Sequence, residues 1–432
     1  MIPNFDLSRF IGNKVTGREQ SLFETDIQAK YEELSQRIEG KSALVIGGAG
    51  SIGSSFIKAL LRFQPARLVV VDINENGLTE LTRDLRSTEG LKVPGDYLTY
   101  PINFGDAVFE KFLRQEGPFD IVANFAAHKH VRSEKDQYSI EAMVENNVLK
   151  AGRLLELLLE NPPAHFFCVS TDKAANPVNV MGASKKLMEE VILAYSKYLP
   201  ITTARFANVA FSNGSLPAGF LERILKRQPL SAPSDVKRYF VSPEESGQIC
   251  LLACILGQPG EIFFPKLNEE TDMKRFSDIA ESLLQELGYS PHYCQSEAEA
   301  KAFFKSQTAS SEQAANTQVP DKLPTADSQK LIAQSLKQNF PVYFFQSDTS
   351  GEKSFEEFYT TEEELDLERF QALGVITNAP KQELAAIGLM FRQLRALFDQ
   401  PNITKQEIVD LMVDFIPNFE HIETGKGLDM KM

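Results

Sequence analysis

The 432-residue chain has no apolar run approaching the roughly 18 residues that span a bilayer. Its first residues, Met1 to Asp6, lack the basic flank and apolar stretch of a secretory signal. Both absences lead to the expectation of a cytoplasmic protein without a membrane span. Cysteine is scarce and unpatterned: Cys168, Cys250, Cys254 and Cys294 show no metal-ligand spacing. Cys168 sits in the apolar run Phe166 to Val169, and Cys250 and Cys254 lie one helical turn apart among aliphatic residues, so buried thiols and no metal are expected. Basic charge is also short. With 45 Lys and Arg against 59 Asp and Glu, the net charge of −14 excludes sequence-independent binding to nucleic acid. It leaves room for a small phosphorylated ligand, which needs only local donors. No internal repeat is present.

What is there is an ordinary globular composition, 43% hydrophobic and 24% charged, on a chain long enough for two domains or one enlarged domain. Residues 1–40 read as an arm followed by a helix, because Ile27, Tyr31, Leu34 and Ile38 recur at helical spacing. From Ser42 onward short apolar runs without alternation (42–46, 67–71, 97–102, 120–124 and 165–170) are spaced by helical stretches. That rhythm indicates a parallel sheet covered on both faces. The fold class expected is α/β, a Rossmann-type doubly wound parallel sheet over 41–210. A smaller α+β substrate-binding region would follow over 211–360, with a polar insertion near 295–330, and a helical extension over 361–432.

Gly47, Gly50 and Gly53 follow directly on the apolar strand 43–46 and open a helix. Glycines so placed allow a tight turn, close approach of backbone to a pyrophosphate, and close helix–strand packing; Ser51 and Ile52 start the helix whose N–H groups face the anion. Asp72 ends the next strand, 19 residues beyond Gly53, where a carboxylate accepts hydrogen bonds from an adenosine ribose. Its charge repels a 2′-phosphate and no arginine follows, so NAD is expected over NADP. Asn103, after the third strand, could meet the adenine edge or make an ordinary turn.

A third cluster is Ser170-Thr171-Asp172-Lys173, with Met181-Gly182-Ala183-Ser184-Lys185 eight residues on. A hydroxyl, a carboxylate and two amines at this range are proton-handling groups. With these, Ala126 to Val131, Glu145 to Val148, Arg205 to Val209, Lys237 to Phe240 and Gly351 to Glu357, the chain resembles the extended short-chain dehydrogenase/reductase superfamily. Within it the resemblance is to the polysaccharide-biosynthesis branch of UDP-N-acetylglucosamine 4,6-dehydratases, over about 41–290 and again from 341. The segment Ile11 to Asp26 resembles the arm preceding the catalytic domain of membrane-anchored members, which also have methionine where the superfamily usually has a tyrosine base. Met181 holds that position here, and a thioether cannot transfer protons.

The resemblance implies an NAD-dependent lyase on a UDP-sugar: oxidation at C4, loss of water across C5 and C6, and reduction at C6. It assigns Asp172 as the acid for the C6 hydroxyl, Lys173 as the base for the C5 proton, Thr171 to the C4 oxygen and Lys185 to the nicotinamide ribose. A lowered Lys173 pKa, from burial and neighbouring cations, is expected of such a base. The resemblance also places Ala126 and Lys129 at the cofactor, and Lys129, Asn208, Leu216, Arg238 and Glu352 at the substrate. Thr349 stands where many relatives have an arginine. A homo-oligomer is expected through the apolar helices 139–159 and 185–199, although core burial explains them equally well. A nucleotide-sugar epimerase, a 4-keto reductase, and a non-catalytic NAD-binding partner protein remain alternatives.

Overall fold

The apolar runs become strands because Val, Ile and Phe buried on both faces gain most from a parallel ladder that helices can cover. The computed structural model describes residues 5–130, 134–304, 339–347, 353 and 355–421. Its strands are β1 Ser42–Ile46, β2 Arg67–Val71, β3 Asp96–Tyr100, β4 Ile121–Asn124, β5 His165–Val169, β6 Ile201–Ala204, β7 Asn208–Val209, β8 Leu230–Pro233, β9 Lys237–Val241, β10 Ile262–Pro265, β11 Met273–Arg275, β12 Ser290–Tyr293, β13 Asn339–Phe345, β14 Leu365–Asp366 and β15 Leu373–Ile376.

Among the described residues, nine strands form one sheet in the order β14-β15-β10-β6-β5-β4-β1-β2-β3. From β3 to β10 every pairing is parallel; β15 and β14 add antiparallel at the far edge. The order reverses between β1 and β4, and open α/β sheets bind ligands at the carboxyl ends of the strands flanking such a reversal. Two three-stranded sheets, β11-β9-β7 and β12-β13-β8, build the smaller region beside it.

The doubly wound α/β class expected from sequence is the fold observed. Two local expectations differ. The N-terminal helix is two, Glu24–Ala29 and Tyr31–Ile38, broken at Lys30. The earlier one docks by its Asp26 carboxylate, which accepts the N–H groups of Gln371 and Ala372 at the start of β15. The tail beyond 361 first supplies β14 and β15, and its helices are Leu384–Phe398 and Lys405–Phe415. Of the polar insertion, residues 297–304 are helical and the rest lies outside the described residues, as do Thr349 and Glu352.

The two C-terminal helices pack on the helices Gln137–Val144, Lys150–Leu158 and Val180–Ala194. A Cβ on Gly152 would come within 2.3 Å of the Phe391 ring, so only glycine admits that ring there. Ile387, Met390, Leu394, Ile408 and Met412 join the main core. The C-terminal helices thus cover part of the apolar helix surface in 139–159 and 185–199.

Candidate active site

The crevice at the sheet's reversal is shaped by Gly47. Its φ of +75° is left-handed, and a Cβ there would lie 2.5 Å from the Ala126 nitrogen, so the ends of β1 and β4 meet only because this residue has no side chain. Helix Ser51–Leu61 begins at Gly50 with no side-chain cap, leaving its first N–H groups directed at the crevice. Asp72 accepts from the Ala49 N–H (3.0 Å) and the Asn74 N–H (2.9 Å), which fixes the carboxylate beside the glycine turn. Ser51 Oγ accepts from the Asn213 N–H at 2.9 Å and ties the turn to the smaller region. Ala126 N–H donates to Asn124 Oδ1. Asn103 Oδ1 accepts from the Gly105 N–H, the turn role that its sequence also allowed.

Across the crevice, β5 ends at Val169 and delivers the second cluster. Asp172 is 3% exposed; its Oδ1 accepts from Thr171 Oγ1 (2.8 Å), Lys173 N (2.9 Å) and Lys173 Nζ (3.0 Å). Asn179 caps the helix Val180–Ala194 through the Gly182 N–H and so aims Met181 and Lys185 back at β5. Lys185 is buried and donates to the Val169 carbonyl at 2.8 Å; burial lowers its pKa from the ordinary 10.5.

One cavity of about 530 Å³ unites Ile52, Lys129, Thr171, Lys173, Met181, Lys185, Asn208 and Leu216. Lys129 keeps contact with solvent there, yet surrounding protein pushes its ammonium below 10.5 by desolvation. Two candidates fall elsewhere. Asp172 is buried and not among the lining residues. Arg238 is buried behind the cavity, donating to the carbonyls of Lys237 and Lys353 at 2.8 and 2.9 Å, which occupies the guanidinium expected at a diphosphate.

The charge of Lys173 also differs from the expectation. Burial opposes its ammonium, but Asp172 and Glu356 outweigh that burial and raise its pKa above 10.5. The neighbours that decide it are carboxylates, not cations. Glu356 was quoted in the resemblance without a role: it is 4% exposed and its Oε1 lies 3.7 Å from Lys173 Nζ. Asn147 was quoted in the resemblance without a role. It sits in a π-turn, Glu145–Leu149, accepts the His128 N–H, and donates to the His128 carbonyl and Ser184 Oγ, joining the β4 loop to the helix of Lys185. The C-terminal segment reaches the loop after β5, with Asn418 Nδ2 donating to the Ala175 carbonyl and the Glu420 N–H to the Pro177 carbonyl. His292, Cys294 and Glu299 cluster outside the cavity lining, around β12, as potential metal donors.

Comparison with known proteins agrees with this architecture. The family model described as "Polysaccharide biosynthesis protein" matches residues 43–303. A Methanocaldococcus jannaschii protein described as an uncharacterized membrane protein is 34% identical over 60% of this chain and 77% of its own length. The probable polysaccharide biosynthesis protein EpsC of Bacillus subtilis is 28% identical over 67% of this chain, which spans about half of it (48%). Among solved structures, Pen from Bacillus thuringiensis superposes with a TM-score of 0.59 at 19% identity, over 80% of this chain and 90% of that one. UDP-glucose 4-epimerase with UDP-glucose, from Thermotoga maritima, gives 0.51 at 18% identity over 74% and 90%. These two share the fold. No helix among the described residues is long and apolar enough to cross a membrane. With the model spanning the glycine turn, Asp72 and the Thr171–Lys185 cluster, the chain belongs to the polysaccharide biosynthesis protein family.

Proposed function

We propose that this protein is an NAD-dependent nucleotide-sugar 4,6-dehydratase that converts UDP-N-acetylglucosamine, or a close UDP-sugar, to a 4-keto-6-deoxy sugar for surface polysaccharide or glycan synthesis. The crevice fits the cofactor: Gly47 leaves no side chain in the way, the helix at Ser51 is uncapped toward it, and Asp72 offers carboxylate lone pairs with no cation for a 2′-phosphate. When bound, NAD would accept hydrogen from C4 as hydride and return it at C6.

Thr171 would hold the C4 oxygen, and Lys185 would add positive potential where charge develops. The Asp172–Lys173 pair would perform the elimination. A proton passing from Lys173 Nζ to Asp172 Oδ1 across their 3.0 Å contact leaves an amine and a carboxylic acid. The amine takes the C5 proton, and the acid, acting through Thr171 Oγ1, protonates the departing C6 hydroxyl as water. As hydride returns at C6, Lys173 gives its proton back to C5, and the C4 hydroxyl proton released to solvent on oxidation is regained from solvent to restore the ion pair. Lys129, Asn208 and Leu216 line the volume left for the sugar nucleotide.

The observation supporting this reading most is the contact of Lys173, which lines the cavity, with the buried Asp172 carboxylate, beside a methionine that cannot act as base. Mass analysis of purified protein incubated with UDP-N-acetylglucosamine tests it, loss of one water being the expected product. A second reading, 4-epimerisation, draws on a Rickettsia canadensis UDP-glucose 4-epimerase that is 30% identical over 52% of this chain. It would give an isomer of unchanged mass.

A further inference from the structure

Lys173 is flanked by two carboxylates, and the elimination uses only one. Glu356 comes from the segment after β13, beyond the span matched by the family model. It is 4% exposed, 3.7 Å from Lys173 Nζ and 3.9 Å from Arg238 Nη2. A buried carboxylate is costly unless paired, and Glu356 has Lys173, Arg238 and its own segment's Lys353 as cationic neighbours, with Asp172 as the opposing anion. Arg238 is itself anchored to the Lys237 and Lys353 carbonyls, so it holds the Glu356 segment in place without entering the cavity.

We propose that Glu356 is the second counter-ion of Lys173, a positioning residue that controls when this lysine can act as a base. The inference rests on the dehydratase reading and deepens it. Two negative neighbours keep Lys173 an ammonium in the free protein, while burial pushes the Glu356 carboxyl the other way, toward its neutral form. When Glu356 takes up a proton, one negative charge leaves the Nζ environment and Lys173 releases its proton to Asp172 more readily. The armed pair and the resting pair then differ by the state of a group that never touches the sugar. The guanidinium of Arg238 and the ammonium of Lys353 oppose that protonation, so the switch is tuned by four charged groups around Lys173.

The test is the pH dependence of kcat for water loss in the wild type, Glu356→Gln and Glu356→Asp, with NAD content and melting temperature measured alongside. The Asp172–Lys173 pair must keep the proton it shuttles, so activity falls as pH rises through the Lys173 pKa, and removal of a negative neighbour lowers that pKa. Glu356→Gln should therefore move the basic limb to lower pH by about one unit or more. Glu356→Asp, which keeps the charge, should move it less, and it carries the test if the glutamine variant does not fold. An unmoved limb in Glu356→Gln, an upward shift, or equal shifts in both variants would overturn the proposal. A wild type that yields no dehydrated product with any UDP-sugar would instead remove the dehydratase reading beneath it.

Discussion

Arg205 clasps both carboxylate oxygens of Glu189, at 2.9 Å from Nε and 2.8 Å from Nη2, and neither side chain reaches solvent. Glu189 also accepts from Ser170 Oγ at 2.6 Å, and Arg205 turns its other edge to Glu363 at 2.9 Å. One ion network thus joins the end of β5, the helix carrying Lys185 and the segment leading into β14. Replacing Glu189 with Ala leaves a buried guanidinium half-paired, which costs about 3–5 kcal/mol. Denaturant unfolding should show a lower midpoint with an unchanged slope.

His165, at the start of β5, responds to pH in a defined direction. Burial, with Arg37 adding, lowers its pKa from the ordinary 6.5 to about 4. Between those values the unfolded chain binds a proton that the folded one does not, so stability falls as pH drops from 6.5 toward 4 and His165 adds no further loss below that. His165→Gln should flatten this part of the stability–pH curve, measured by urea unfolding across the range.

Lys173→Ala removes the proposed base while leaving the glycine turn and Asp72 in place. Water loss should fall by about 100-fold or more, with bound NAD retained in the purified protein. Unchanged turnover would take the base assignment away from Lys173.

Met181 is 4% exposed and borders the cavity. If the site works without a phenol, Met181→Tyr should change the rate of water loss only within a few-fold. A large gain in steady-state rate would mean that the methionine marks a lost function.

The parallel sheet was legible because β1, β2, β4 and β5 are apolar on both faces and are spaced by helical stretches that can cover them. The glycine turn and Asp72 were legible because backbone geometry restricts those positions to few residue types. Glu356 was not: it lies in an acidic stretch with Glu357, and nothing local separates a glutamate folded against Lys173 from one facing solvent. The same holds for Phe391 over Gly152, a contact between segments far apart in sequence. β15 (Leu373–Ile376) was also hidden, since a four-residue strand added antiparallel to β10 is not announced by a preceding helix. The helical periodicity from Ile27 to Ile38 runs straight through the break at Lys30, where the backbone (φ −109°, ψ 10°) departs from helix while the apolar face continues.

The central claim, redox-neutral dehydration, is tested most directly with UDP-N-acetylglucosamine carrying deuterium at C4. Mass and NMR analysis should find a product lighter by one water, with the deuterium retained and moved to C6. An isomer of unchanged mass, or recovery of unreacted substrate, would contradict the account.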